Sequence, residues 1–458
     1  VRRAWPYACL FAGAAALSAC TLLRGIGPHD EGLMLQAASR IADGQWPYRD
    51  FWFNYGPGQP LLLAPVAHSL LGWRLVRVAL DATVTVLAYA LVRRTAPPWL
   101  SALAGVAVAA AMAWPTGPGP NPAALALVLG ALLLARSRPG VAGALCALAA
   151  FFRPELGAAG ALSVALYGGG VRSLAVALGA AVALYALPFA VAPGDFLRDT
   201  VGFLGDQDLQ RLPLPLHYRG GADPNKLLEF YLPVILLAGS ALWLAARRGL
   251  WLAPLVLAGV LYLVGRPDEF HLVPLAVVLG IGLAQPRPAL VAVLALIAVH
   301  GLERRAGQLL HPPPLATVAD AVKSSPADAR ALHALLPRIR ALAPPGTPIF
   351  VAPPRFDRVR VGDPLLYVLA GRPNPTRYDV MQPGVVTTAR VQREMVRDLR
   401  RARPPVLVRW LDQRASATEP NGSARSSGVT ILDDYLRATY DRPRRFGPYV
   451  LYRVAKPP

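Results

Sequence analysis

Two adjacent carboxylates, Asp30 and Glu31, stand just past the first long apolar run and open the stretch with the densest set of chemically useful side chains. Residues 28–60 read PHDEGLMLQAASRIADGQWPYRDFWFNYGPGQP. After the acids come the helical spacing of Leu33, Leu35, Ala38 and Ile41 and a stop at Gly44. Pro47-Tyr48-Arg49-Asp50-Phe51-Trp52 and Tyr55-Gly56-Pro57-Gly58 follow. A carboxylate within hydrogen-bond reach of a hydroxyl takes its proton as general base. Asp30 is the expected base, with Glu31 as neighbour or partial substitute, and Tyr48, Asp50 and Tyr55 are expected on the substrate side. The acidic pair also suits a helix start, with Asp30 as N-cap and Glu31 as first-turn acid of a helix over 32–43. Spacing alone favours the helix start. A divalent cation, Mg or Mn, is compatible with such carboxylates but not demanded by them.

Cationic partners recur at other junctions between apolar runs. Arg153 lies in Phe151-Phe152-Arg153-Pro154-Glu155, and Arg266 and His271 lie in Gly265-Arg266-Pro267-Asp268-Glu269-Phe270-His271. Arg219 lies in the long loop 193–226, which suits either a lid over a membrane-surface pocket or a connector. Arginines of this kind stabilise a phosphate that leaves, and Arg153 also suits simple snorkelling. A turn between helices needs only Gly and Pro, so the charges around Arg266–His271 exceed what the turn requires.

The elements that must hold these groups are apolar. Hydrophobic residues make up 54% of the 458, charged residues only 16%, and the mean hydropathy is +0.38. This composition excludes an ordinary soluble enzyme and implies a polytopic helical membrane protein. About eleven apolar runs are expected as spans, near 5–23, 74–92, 99–114, 121–135, 139–152, 155–168, 171–192, 227–246, 250–264, 270–284 and 288–302. The segment 58–73, broken by Pro60, Pro65 and His68, is expected to lie at the interface. In the span after it, Arg77 is the expected partner of the intramembrane Asp81.

Arginines without acids mark alternate junctions (Arg2/Arg3, Arg93/Arg94, Arg136/Arg138, Arg172, Arg247/Arg248, Arg287), which are therefore expected in the cytoplasm. The Pro28–Pro60 stretch then stands in water at the outer face, together with the tail. The net charge of +20 is concentrated in that tail: residues 303–458 hold 26 Lys/Arg against 13 Asp/Glu. Such a region is expected to be drawn to anionic lipids, polyprenyl phosphates or acidic envelope polymers, and nucleic acid is the weaker reading, because the domain is expected on the other side of the membrane. Cys9, Cys20 and Cys146 all fall in apolar runs, so no disulfide framework or metal-ligand spacing is present. Leu17-Ser18-Ala19-Cys20 also fits a lipoprotein cleavage site, although the run serves equally as a first span.

From about residue 303 the pattern becomes that of a small α/β domain. Helices are expected over 325–342, 364–370, 389–402 and 431–440, and strands over 349–352, 406–410 and 449–454. The domains are therefore read as 1–302, membrane, and 303–458, extracytoplasmic α/β.

The first loop resembles that of the GT-C superfamily of polyprenyl-phosphate-sugar-dependent glycosyltransferases, in its bacterial protein-mannosyltransferase-like and ArnT-like branch. The residues that carry the resemblance are Asp30-Glu31-Gly32, Ala38, Ile41, Gly44, Pro47-Tyr48, Asp50-Phe51 and Tyr55-Gly56-Pro57-Gly58. It implies a many-span body and Asp30 as catalytic base. It also implies a polyprenyl-phosphate-linked sugar donor, an envelope glycan, lipid or protein acceptor, and a place in the bacterial cytoplasmic membrane among its lipids. The Arg266–His271 turn resembles the late loops that meet the lipid phosphate in such enzymes. The chain departs from the protein O-mannosyltransferases in lacking their second acidic motif and a β-trefoil tail. A transporter or scaffold for lipid-linked sugars, and a glycan polymerase or ligase using diphosphate-linked donors, are the alternatives.

Overall fold

The computed structural model describes residues 4–113, 119–206, 209, 211–212, 232–247, 250–265, 269–320 and 322–455. Over its described residues each apolar run of the sequence folds largely as helix. Helices α1 (Trp5–Ala19), α2 (Asp30–Ala42), α3 (Gly58–Leu63), α4 (Leu70–Val92), α5 (Pro98–Met112), α6 (Asn121–Leu134) and α7 (Pro139–Phe152) come first. They are followed by α8 (Pro154–Val164), α9 (Gly170–Val191), α10 (Pro193–Thr200), α11 (Leu232–Arg247), α12 (Ala253–Gly265), α13 (Val273–Gly282) and α14 (Pro288–Leu310). Proline sets many of these starts, because its missing N–H costs nothing in the first helical turn and its φ is already helical: Pro98, Pro139, Pro154 and Pro288 all stand there.

Among the described residues two segments are long and apolar enough to cross a membrane, Leu70–Val92 and Pro154–Val191. The second is α8 and α9 joined by a π-helical turn at Ala165–Gly169, where Gly168 (φ +131°) and Gly170 (φ +60°) take conformations that a side chain would strain. Several other apolar helices have 10–17 residues, at 1.5 Å per residue shorter than the roughly 30 Å of a hydrocarbon core. The bundle core is built from Val84, Leu100, Val108, Leu125 and Leu132, with many alanines allowing close helix approach.

Past Leu310 the structure is mixed. Strands β1 (Ala316–Ala319) and β2 (Val322–Ser324) pair as a hairpin. Four more, β3 (Phe350–Ala352), β4 (Val406–Trp410), β5 (Tyr440–Phe446) and β6 (Tyr449–Val454), form a sheet in the order β3-β4-β6-β5, parallel only between β3 and β4. The helices between are α15 (Pro326–Leu342), α16 (Leu365–Ala370), α17 (Ala389–Ala402), α18 (Gln413–Ser416) and α19 (Ile431–Thr439). Ser325 caps α15 by accepting from the Asp328 N–H, as its Ser-Pro start implies.

One expectation requires correction. The first loop does not stand in water: Tyr48, Phe51, Trp52 and Phe53 are each at most 4% exposed. Tyr48, Phe51 and Phe53 share one apolar core with Leu335, Ile339, Val351, Leu366 and Trp410, while Leu33 and Trp52 join another with Phe350, Phe356 and Met395. The aromatic density that excluded the stretch from the bilayer is used to bury it against the C-terminal domain.

Candidate active site

Asp30 is the first residue of α2, and it is exposed. Among the described residues its carboxylate makes no hydrogen bond or ion pair. The N-cap position belongs to His29, and no side-chain cap bond forms there, so the capping role is not the one Asp30 fills. Glu31 turns the other way. It is 3% exposed, accepts the Gly27 N–H at 2.8 Å and pairs with Arg74 at 3.4 Å. Burial pushes its carboxyl up to about 7, and Arg74 and the Gly27 N–H only partly oppose this. The two acids therefore do not converge on a common ligand, and the geometry does not fit a divalent cation held by this pair. Among the described residues no three His, Cys, Asp or Glu side chains gather as a metal group.

Arg74 fixes the approach to α2. Its guanidinium donates to the carbonyls of Leu22 (2.5 Å) and Arg24 (2.6 Å) as well as to Glu31, stapling the α1–α2 connection to α4. On the other side Gly32 faces α16 so closely that a Cβ would stand 2.6 Å from the Leu365 nitrogen. The Leu365 N–H donates to the Pro28 carbonyl at 3.3 Å. Asp30 thus sits on a helix start held from both sides, and Gln382 of the C-terminal domain approaches its neighbour His29 at 3.5 Å.

Tyr48 and Asp50 take structural places in the loop. Tyr48, in left-handed backbone (φ +70°), is fully buried and donates its hydroxyl to the Tyr55 carbonyl at 2.7 Å. Asp50 accepts the Trp46 N–H at 2.8 Å and the Arg49 guanidinium, which holds its carboxyl below the usual range. The loop then presses on the α7–α8 junction. A Cβ on Gly56 would lie 2.3 Å from the Phe151 carbonyl oxygen, and one on Gly58 2.8 Å from the Phe152 ring.

That contact brings Tyr55 into the electrostatic neighbourhood of Arg153. Arg153 is 9% exposed, pairs with Glu155, and lies 4.3 Å from the ring centroid of Tyr262, which in turn stands 4.1 Å from the His271 ring. The Arg153 Nε is buried with no hydrogen-bond partner among the described residues. A buried guanidinium with an unused donor, packed on the Tyr262 ring, is suited to a phosphate oxygen. Arg153, His271 and Tyr55 are therefore gathered as one group, with Tyr262 and Glu155 added to those the sequence pointed to. Arg219 and Arg266 lie outside the described residues.

A second set escaped sequence reasoning. Arg40 donates to Asp379 at 2.6 Å and to the Thr376 carbonyl at 3.0 Å. Arg377 donates to the Tyr48 carbonyl at 2.5 Å and pairs with Asp195 (3.1 Å) and Asp199 (3.4 Å) of α10. Arg40 occupies a polar position of the α2 pattern, and no local signal marks a partner in the tail. Arg77 pairs with Asp81 at 3.3 Å, as its spacing implied.

A helical body, a first loop opening on an exposed carboxylate and a C-terminal α/β domain seated on that loop make an architecture that recurs among solved structures. The solved structures bear out that fold. ArnT from Cupriavidus metallidurans in the apo state superposes with a TM-score of 0.62 over 98% of both chains at 14% identity. The same protein bound to undecaprenyl phosphate superposes at 0.59 over the same shares and at the same identity. No family model and no curated protein matches the sequence.

Proposed function

We propose that this chain is a membrane glycosyltransferase that moves a sugar from a polyprenyl-phosphate donor to an acceptor hydroxyl, with inversion, at the outer face of a bacterial cytoplasmic membrane. The observation that carries the reading is an exposed carboxylate at Asp30, unpartnered among the described residues, at the start of the first loop, together with a buried guanidinium at Arg153, its Nε unused among those residues, at the α7–α8 junction on which the end of that loop presses. The ArnT-like fold supports it, since one of those structures holds undecaprenyl phosphate.

The chemistry is a single displacement. The acceptor oxygen attacks the anomeric carbon, the bond from that carbon to the phosphate oxygen breaks, and the electron pair leaves with polyprenyl phosphate. Asp30 takes the acceptor's proton. Arg153, with His271 and Tyr262 beside it, stabilises the charge that grows on the leaving phosphate. The apolar helices, about eleven in number by sequence, hold the lipid tail in the bilayer.

The test is transfer from a panel of radiolabelled polyprenyl-phosphate monosaccharides in membranes carrying wild-type or Asp30→Asn protein. Transfer by the wild type that is lost in the variant, with lipid binding retained, supports the assignment. No transfer from any donor by folded wild-type protein turns the reading toward a transporter or scaffold. Competition by polyprenyl diphosphate rather than monophosphate turns it toward a polymerase or ligase.

A further inference from the structure

Arg377 belongs to the C-terminal domain, yet its guanidinium answers groups from three other segments of the chain. It donates to the Tyr48 carbonyl of the first loop at 2.5 Å, and it pairs with Asp195 (3.1 Å) and Asp199 (3.4 Å) of α10 and with Glu394 of α17 at 3.9 Å. The turn that presents it is itself fixed. The Thr376 carbonyl accepts from Arg40 at 3.0 Å, Asp379 pairs with the same arginine at 2.6 Å, and the Arg377 carbonyl accepts the Trp52 N–H at 2.7 Å. The side chain is 14% exposed, so these contacts are made largely out of water, where charge-assisted bonds are strong.

What Arg377 holds is a strained residue. The φ of Tyr48, +70°, lies in the left-handed region, which a bulky side chain keeps only where its surroundings impose it. The Tyr48 N–H donates to the Phe51 carbonyl at 2.8 Å and its carbonyl takes the Arg377 bond, so the C-terminal domain supplies part of that restraint. From Tyr48 two contact routes reach the α7–α8 junction. The hydroxyl donates to the Tyr55 carbonyl at 2.7 Å, and the next residue, Gly56, rests on the Phe151 carbonyl. The ring packs edge-on against Phe196 (4.9 Å between centroids), Phe196 against Tyr185 (6.0 Å) and Tyr185 against Phe151 (5.4 Å), and the Tyr185 hydroxyl donates to the Ala150 carbonyl at 2.9 Å. Phe196 lies on the α10 segment bounded by Asp195 and Asp199, so one guanidinium holds both the tyrosine and the helix on which its ring rests.

We propose that Arg377 is a positioning residue for the donor phosphate: it holds Tyr48 in its left-handed conformation, and Tyr48 holds Tyr55 and Gly56 against the junction that carries Arg153. The inference rests on the reading of Arg153 as the phosphate ligand. Without the Arg377 bond Tyr48 relaxes toward negative φ, its hydroxyl leaves the Tyr55 carbonyl, and the end of the loop separates from Phe151. The C-terminal domain then takes part in donor recognition through the loop rather than by contact. Such a route is established by a measured response at both of its ends.

The experiment uses the full chain in nanodiscs and reads two quantities: KM and kcat for a radiolabelled polyprenyl-phosphate sugar, and amide hydrogen exchange over residues 46–58 and 150–156. Arg377→Gln is expected to raise the donor KM by about tenfold or more at a kcat near that of wild type, the size that follows when charge-assisted bonds are lost and a ligand group is displaced. It is also expected to speed exchange in both stretches. Arg377→Lys, which keeps the charge and loses the fork, shows the same effects in smaller measure. Arg409→Gln, which breaks the 2.9 Å pair with Asp433 elsewhere in the domain, is the structural control: it lowers kcat with the folded fraction and leaves KM unchanged. Arg377→Gln behaving like that control, or exchange at 150–156 equal to that of wild type, overturns the proposal. Absence of transfer by wild type strikes the assignment of the donor instead; faster exchange at 150–156 in Arg377→Gln then upholds the link to the junction, and unchanged exchange overturns it. Where Arg377→Gln fails to fold, Tyr48→Phe, which removes the hydroxyl that meets Tyr55 and keeps the ring, carries the same expectations.

Discussion

Arg40 and Asp379, 339 positions apart in sequence, meet at 2.6 Å with both side chains at most 8% exposed. The pair ties α2 to the segment of the C-terminal domain in which Asn374 donates to the same carboxylate at 2.9 Å. The helix that carries the candidate base is thereby seated on that domain. Removing one partner leaves the other charged and buried, a change that typically costs about 3–5 kcal/mol. Arg40→Gln is expected to destabilise the protein by about that much and to open residues 44–55 to protease, read by thermal melting and limited proteolysis. An unchanged melt and digest would show that the two parts are held without this pair.

Gly56 has no room for a side chain. A Cβ would meet the Phe151 carbonyl oxygen at 2.3 Å, and backbone yields less readily than a flexible side chain. Gly56→Ala is therefore expected to lift the loop from the α7–α8 junction, at about 1–3 kcal/mol of stability. It also moves Tyr55 away from Arg153. The expected kinetic signature is weaker donor binding with Asp30 chemistry otherwise intact. Binding of undecaprenyl phosphate to the variant measures this, and wild-type affinity would refute the coupling.

Arg74→Lys keeps the charge and loses the fork. A lysine ammonium cannot reach the Leu22 and Arg24 carbonyls and Glu31 together in the geometry that the planar guanidinium provides. Leaving such buried acceptors unmet typically costs about 1–3 kcal/mol. The variant is expected to melt lower by a corresponding amount and to turn over more slowly, because the start of α2 loses its anchor. Wild-type stability in Arg74→Lys would show that charge alone suffices there.

Much of the fold was legible because the signals are local. Apolar runs punctuated by Pro and Gly gave the helices of the bundle, and period-two and helical patterns gave α15, α17, β4 and β6 almost to the residue. The strand Tyr440–Phe446 was missed since YDRPRRF carries a proline and four charges, a composition tolerated on an edge strand and otherwise read as turn. At the site, Asp30 and Arg153 stood out as charged residues beside apolar runs. Tyr48 and Asp50 stood out for the same reason yet fold the loop on itself, because sequence spacing does not reveal which way a side chain turns. The Arg40–Asp379 and Arg377–Asp199 contacts were illegible, since they join segments well over a hundred residues apart and each residue is ordinary in its own neighbourhood.

Asp199 gives the protein a pH dependence of definite sign. Fully buried on α10, its carboxyl is pushed by burial up to about 7, against the pull of Arg377 and Arg198 and with Asp195 adding to the rise. Asp363, buried beneath the Tyr449 hydroxyl that donates to it at 2.8 Å, is likewise raised to about 7. A carboxyl whose folded pKa lies above its unfolded value binds more protons in the folded state between the two. Stability is therefore greatest below the unfolded value of 3.8 for these groups and declines as pH rises toward 7. Asp357, held down to about 2 chiefly by Arg355, acts in the opposite sense, and its contribution is lost as pH falls from 3.8 toward 2. The melting temperature is expected to fall across the interval from about 4 to 7, and Asp199→Asn to flatten part of that slope without moving the acid limb set by Asp357. A melting curve that rises with pH across that interval in wild type, or a slope untouched in Asp199→Asn, would show that Arg377 and Arg198 outweigh burial and keep Asp199 ionised.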